Sequence, residues 1–421
     1  MALVYSAFVP HPPIIVPEIG RGEEEKCAAT LKSFRQIACS FVEQEVETVL
    51  IISPHAPLLR EGVVILQDPQ LEGDFTQFRA PQVSLSFPNH QELAQELSKL
   101  PGGVLYSTQL DHGTMVPLYF LKEAGWHGKV VVMSMPYSNP EVYGNKIASI
   151  LKEFSERIGI LASGDLSHKL REDGPYGLHP SGPILDQEIA TRLAHNPSTV
   201  KDIPKKLAEE GAECGWRSLR LALAVQEGLP QVLSYEGTFG VGYLVAELYK
   251  TSPLPHWARA CLETYLKEGK RKFKDLTPPE GAEFQLQRGC FVTLNQDGNL
   301  RGCIGTIAPT RDNLAQEIAF NALAAAFEDP RFRPVEIDEL PYLSISVDVL
   351  GEMEKIKSLE ELDPHRYGVV VQNRGRRGLL LPHLEGIDTV EEQVSIAKQK
   401  AGLSQDESVE MWRFEVVRHF E

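Results

Sequence analysis

The chain has 421 residues, 42% hydrophobic and 24% charged, with a formal net charge of −16. That length exceeds one core of ordinary size and predicts two domains, while the globular balance excludes disorder and fibrous repeats. The acidic excess argues against nucleic-acid binding, because no basic face is offered to a phosphate backbone.

The N-terminus, MALVYSAFVPHPP, lacks a basic segment and breaks at Pro10, Pro12 and Pro13, so it does not read as a signal peptide. No apolar run reaches the roughly 18 residues that span a bilayer, and no membrane association is expected. Six cysteines, at 27, 39, 214, 261, 290 and 303, form no CxxC pair, which points to a reducing, cytoplasmic setting.

In chain order, a β-type run over Leu3–Val9 precedes a helical region from about Glu23 to Glu45. Runs at Thr48–Ser53 and Val63–Leu66 follow, then a helix over Gln91–Leu100 and a strand over Gly103–Ser107. Met115–Ala124 reads as helix, Lys129–Met135 as a buried strand, Val142–Arg157 as helix and Gly159–Ser163 as strand. Helices over Leu185–Ala194 and Arg217–Glu227, a strand over Gln231–Glu236 and a closing element at Tyr243–Tyr249 complete residues 1–250. This alternation predicts a layered α/β domain with a central, mostly parallel sheet.

Thr251–His256 holds two prolines and no periodicity, and is taken as a linker. Residues 256–421 read as α+β with antiparallel strands. Helices are expected over Trp257–Glu268 and Leu314–Phe327, and a strand at Leu343–Leu350. Phe291–Asn295 and Leu300–Ile304 flank one hairpin turn. Val369–Gln372 and Gly378–Leu381 bracket another at Asn373-Arg374-Gly375. Thr389 with Glu392 reads as a capping box, and Trp412–Val417 as a last strand.

The histidines carry the functional signal. Four β-type runs each lead to a turn that bears one: His11, His55, His112 and His168. In open α/β sheets the carboxyl ends of parallel strands share a rim where ligands bind, so parallel strands would gather these imidazoles. Imidazole binds Zn, Cu, Fe and Ni and also titrates near neutrality. Prolines beside His11 and His55 favour rigid presentation of a ligand.

The segments FVPHPP, SPHAPL, DHGTMVPL, GDLSH and AECG resemble class III extradiol dioxygenases of the LigB type and their Memo-like relatives, over residues 1–249. The resemblance implies a non-haem Fe(II) oxygenase cleaving a catechol-like small molecule, with Zn or Cu as alternative metals. It implies His11, His55 and Glu213 as metal ligands, with Cys214 as the alternative third ligand. It further implies His168 as the acid–base group and His112 as its neighbour near substrate and oxygen. Asp165 either orients His168 or approaches the metal.

In the second part, Leu300-Arg301-Gly302-Cys303-Ile304-Gly305 and DPRFRPVEIDEL resemble the AMMECR-type domain, over about 256–421. Arg301 and Cys303, two apart on a strand, would share a face, where a basic group lowers a thiol pKa; Cys303 is thus a candidate nucleophile. His383 is a further candidate. The pairing of the two domains resembles components of systems that include a radical-SAM protein. This implies a second reading: a non-catalytic metal-binding partner of such an enzyme.

Overall fold

The structure, a computed structural model, describes residues 3–421 except 227, 229, 270–272, 274, 297, 383 and 385. Internal contacts divide the chain into Met1–Lys250 and Thr251–Glu421. His383 lies outside the described residues.

Among the described residues the first unit holds ten strands: β1 (Leu3–Val9), β2 (Thr48–Ser53), β3 (Val63–Leu66), β4 (Gln70–Phe75), β5 (Ala80–Pro88), β6 (Gly103–Tyr106), β7 (Lys129–Ser134), β8 (Ile158–Ser163), β9 (Gln231–Glu236) and β10 (Tyr243–Lys250). Eight of them form one sheet in the order β6-β3-β7-β2-β8-β1-β10-β9. The centre, β7-β2-β8-β1, is parallel throughout. Every residue of β1, β2 and β8 is buried, as expected for strands covered on both faces. Alternation along β1 sends Tyr5 to Phe41 of the helix Ala28–Glu43 and Phe8 to the other face, against Gly215 before the helix Trp216–Val225. Phe34, Ile37 and Phe41 anchor the first of these helices, each contributing about 1.5–3 kcal/mol by burial.

In this unit two findings differ from the sequence reading. β6 is parallel to β3, but β3 pairs antiparallel with β7. The carboxyl end of β6 therefore points away from the rim shared by β1, β2 and β8. His112 reaches that rim only because residues 107–110 turn back, with the Leu110 N–H donating to the Glu72 carbonyl at 2.8 Å. The second difference is the β4–β5 hairpin, which forms a separate two-stranded sheet. It alternates buried and exposed residues rather than forming an apolar run.

The second unit is an antiparallel sheet: β11 (Cys290–Gln296), β12 (Asn299–Gly305), β13 (Leu343–Leu350), β14 (Glu354–Ile356), β15 (Tyr367–Asn373), β16 (Arg376–Leu380) and β17 (Glu410–Phe420). The order is β12-β11-β13-β17-β15-β16, with β14 on β17. The β15–β16 turn places Arg374 and Gly375 at φ 47° and 83°, the left-handed pair that tight hairpins require. Thr251–His256 is not an irregular linker. Ser252 caps a helix, Pro253–Glu268, whose first turn tolerates proline because its N–H groups have no helical partner. Thr389 caps the helix Val390–Lys400, but the Glu392 carboxylate accepts from the Thr389 hydroxyl instead of its backbone N–H.

The loop after β8 and the segment before Trp216 meet at two glycines. A Cβ on Gly164 would lie 2.0 Å from the Gly215 Cα, where no flexible side chain can yield. Gly164→Ala should therefore lower stability by about 1–3 kcal/mol, read from the midpoint of urea unfolding. An unchanged midpoint would show that the two backbones are not in contact.

Candidate metal centre

Three histidines converge at the rim. Ligand atoms of His11, His55 and His112 lie within 4.8 Å of one another, with His11 buried, His55 exposed and His112 between. The group has a closed floor and an open mouth. His11 follows β1, His55 follows β2, and His112 opens the helix His112–Glu123. Asp111 caps that helix, accepting from the Thr114 N–H at 3.1 Å and the Thr114 hydroxyl at 3.0 Å. It also accepts from the Ser53 hydroxyl at 2.7 Å, which ties the helix start to the end of β2.

The protonation of His11 follows from its neighbour. The Ser163 hydroxyl donates to the Gly113 carbonyl at 2.5 Å, so toward His11 it has only lone pairs left. At 2.8 Å it must accept from His11 Nδ1–H, which leaves Nε2 bare. That nitrogen lies 3.0 Å from His55 Nε2. Two imidazole nitrogens each about 2.1 Å from one ion, and meeting it at roughly a right angle, would be separated by this distance. Burial first, then the other imidazoles, holds His11 far below its ordinary pKa. Burial likewise lowers His55, and brings His112 to about 4. All three rings are neutral at pH 7, the state that binds metal.

Two more donors stand close. Cys214 Sγ is 3.6 Å from His11 Nε2, and Asp165 Oδ2 is 3.9 Å from it. Asp165 Oδ1 accepts from the His11 backbone N–H at 3.0 Å, while its carbonyl accepts from the N–H groups of Cys214 and Gly215. Asp165 thus fastens His11 and Cys214, not His168. Burial raises its carboxyl to about 7 and pushes the Cys214 thiol well up. The carboxylate that ties down the residue before His168 is Asp186, which the sequence reading missed. It accepts from the Ser167 N–H at 2.8 Å and the Tyr235 hydroxyl at 2.7 Å.

Glu213 is not brought to the cluster. Its carboxylate accepts from the Trp216 N–H at 2.6 Å, capping the helix Trp216–Val225, and faces Arg217 at 3.7 Å. The neighbouring Cys214 points to His11 in its place. His112, expected beside substrate, shares the ligand group itself. His168 stands apart, its ring edge-on to Tyr176 at 5.5 Å, with Nδ1 buried and unpartnered among the described residues. Burial lowers its pKa. On the other side Phe78, from the turn of the missed hairpin, lies 5.5 Å from His112. The sequence signal for the supporting hydroxyls is plain in retrospect: β2, β7 and β8 are apolar strands that each end in serine.

In the second unit Arg301 does not activate Cys303. Its guanidinium forks onto Glu339 at 2.9 and 3.1 Å and donates to the Arg333 carbonyl. Cys303 accepts from the Thr293 hydroxyl at 3.2 Å, and burial raises its pKa. Burial thus works against the thiolate that the nucleophile expectation requires.

Residues 5–246 match the family described as the catalytic LigB subunit of aromatic ring-opening dioxygenase, and residues 255–419 match AMMECR1. A protein of Clostridium acetobutylicum is 40% identical over 463 residues, with 98% of each chain covered. A Thermotoga maritima protein is 51% identical over 169 residues, covering 40% of this chain and 97% of its own. Among solved structures, an uncharacterized protein from Pyrococcus horikoshii aligns at 33% identity and a TM-score of 0.36, over 39% of this chain and 88% of its own. One from Escherichia coli K12 aligns at 16% identity and a TM-score of 0.41, over 58% and 99%. Among the described residues no helix is long and apolar enough to cross a membrane.

Ser163→Ala should free the His11 tautomer and weaken metal affinity by about 10–100-fold, measured by chelator competition. Under the same assay Cys214→Ser should weaken binding and Glu213→Gln should not; the reverse order would restore Glu213 as a ligand. In metal-free protein, His112 has a folded pKa of about 4 against 6.5 for the free side chain. The unfolded chain takes up that proton first, so the stability linked to it is whole above pH ~6.5 and is lost as pH falls toward ~4. His112→Gln should flatten this part of the curve in urea unfolding with chelator present; an unchanged slope would contradict it.

Proposed function

Because the chain belongs to the LigB family of aromatic ring-opening dioxygenase subunits over its first unit, and carries an AMMECR1 domain in its second, we propose that the first unit is a metal-dependent oxygenase. Its substrate is a catechol-like aromatic diol. The observation that carries the reading is the trio His11, His55 and His112, whose ligand atoms lie within 4.8 Å at a rim open on the His55 side.

The donor set fits a divalent transition ion: three neutral imidazoles, with a thiol and a carboxylate within reach. We assign Fe(II), with Zn or Cu as the alternatives. Such an ion would supply Lewis acidity toward the substrate's ring oxygens and, as iron, redox chemistry with dioxygen.

The chain's own residues do the rest. His11 is fixed in the ligating tautomer by Ser163, and Asp165 fastens its backbone. His168, neutral because burial lowers its pKa, takes up a substrate hydroxyl proton and returns it after cleavage. Asp186, through the Ser167 N–H, keeps the His168 loop in place. Phe78 and Tyr176 supply aromatic walls on the His112 and His168 sides, suited to a flat ring.

One observation favours a second reading. With Cys214 Sγ 3.6 Å from His11 Nε2, a thiolate could complete a closed, soft coordination set. The unit would then be a metal-binding partner, and a radical-SAM enzyme the protein it serves.

Anaerobic purification, metal analysis and oxygen uptake with a panel of catechols separate the two. The oxygenase reading expects about one iron per chain and uptake with at least one catechol. It also expects His168→Asn to lower turnover by about 10²–10⁴-fold while keeping the metal. Stoichiometric iron without uptake favours the partner reading, and zinc or no metal removes the oxygenase.

A further inference from the structure

A second site lies in the other unit. A cavity of about 320 Å³ runs beside the helix Leu314–Phe327, lined by Arg311, Glu317, Phe320, Asn321 and Phe327, with Tyr265 from the helix Pro253–Glu268. The volume falls within the range of small-molecule pockets.

Its polar floor is built. Glu317, 1% exposed, accepts from the Thr306 hydroxyl at 2.6 Å, the Thr310 hydroxyl at 2.9 Å and the N–H groups of Thr310 and Arg311 at 2.7 and 2.9 Å. Its charge is consumed in shaping the loop, so it is not free to receive a ligand. Asn321, 5% exposed, donates from Nδ2 to the Cys290 carbonyl at 2.9 Å and to the Thr306 hydroxyl at 3.3 Å. Thr306 has given its proton to Glu317 and can only accept there, which fixes the amide with nitrogen on that side. Asn321 Oδ1 is left as an acceptor with no donor among the described residues. Asn321 lines the cavity, so this oxygen is open to a donor from a ligand.

The walls and rim complete the picture. Tyr265 and Phe327 pack at 5.1 Å, and Phe320, 45% exposed, carries the Arg311 guanidinium 4.0 Å above its ring. Arg311 makes no ion pair among the described residues. It stands at the N-terminal end of the helix, capped by Asn313, where the backbone dipole also favours an anion; Glu328 marks the opposite end.

From an aromatic wall, an amide acceptor that meets no donor among the described residues, and a guanidinium that makes no ion pair among them at the positive end of the helix, we infer that this cavity binds a mononucleotide. The flat base lies against the aromatic residues, a base N–H donates to Asn321 Oδ1, and the phosphate meets Arg311.

Titration calorimetry on the full chain with AMP, GMP, UMP and CMP tests this, with inorganic phosphate and 1-naphthyl phosphate as controls. At least one mononucleotide should bind once per chain. Phe320→Ala and Arg311→Gln, both at exposed positions, should each weaken it by about tenfold. Naphthyl phosphate, with ring and anion but no N–H donor, should bind at least about tenfold more weakly. The inference is overturned if no mononucleotide binds, if both variants bind as the parent does, or if either control matches the nucleotides.

Discussion

A serine hydroxyl has one proton to give, and the site rests on where Ser163 sends it. Spent on the Gly113 carbonyl, it obliges His11 to donate from Nδ1 and so presents Nε2 as a bare lone pair toward His55. Gly113 has no side chain for good reason, since a Cβ would meet Ser53 Oγ at 2.8 Å and Asp111 Oδ1 at 2.9 Å. The same glycine therefore lets the helix that bears His112 come down onto β2 and supplies the carbonyl that sets the tautomer of His11. Without that fixed tautomer two neighbouring imidazoles would settle for a hydrogen bond between themselves. With it, they form one side of a cradle for a cation.

The sheet makes this possible by gathering strand ends. β1, β2 and β8 are parallel neighbours, so the turns after them share one rim. Each is buried along its whole length, and each hands over to polar chemistry only at its carboxyl end. Asp165 and Asp186 then act as two separate clamps. The first holds His11 and Cys214, the second holds the loop of His168 through Ser167 and Tyr235. Both are buried carboxyls raised toward neutrality by desolvation, a cost the fold accepts to keep the rim rigid.

Much of this could be read from residues alone, because strong apolar runs and punctuating prolines are local signals. β1, β2, β7 and β8, and the helix Leu314–Phe327, follow directly from periodicity. The histidines stood out because each followed such a run. What escaped was nonlocal. The reversed direction of β6 depends on its pairing with β3, which no pattern within Gly103–Tyr106 records. The β4–β5 hairpin alternates weakly and holds charged residues, so it carried no apolar run, yet it brings Phe78 to His112. The choice between Glu213 and Cys214 turned on a single residue of register before a helix. A glutamate there caps the helix, and the next side chain faces the cluster. In the second unit the pairing of Arg301 with Glu339, 38 residues away, could not be read from the strand that places it near Cys303.

The central claim is that the three histidines hold one ion. Anomalous diffraction from crystals grown with the native metal, recorded at its absorption edge, addresses this most directly. The account predicts a single peak in the first unit within about 2.0–2.3 Å of His11 Nε2, His55 Nε2 and a ring nitrogen of His112. A peak bound to Glu213 and lacking any of these imidazoles would contradict it.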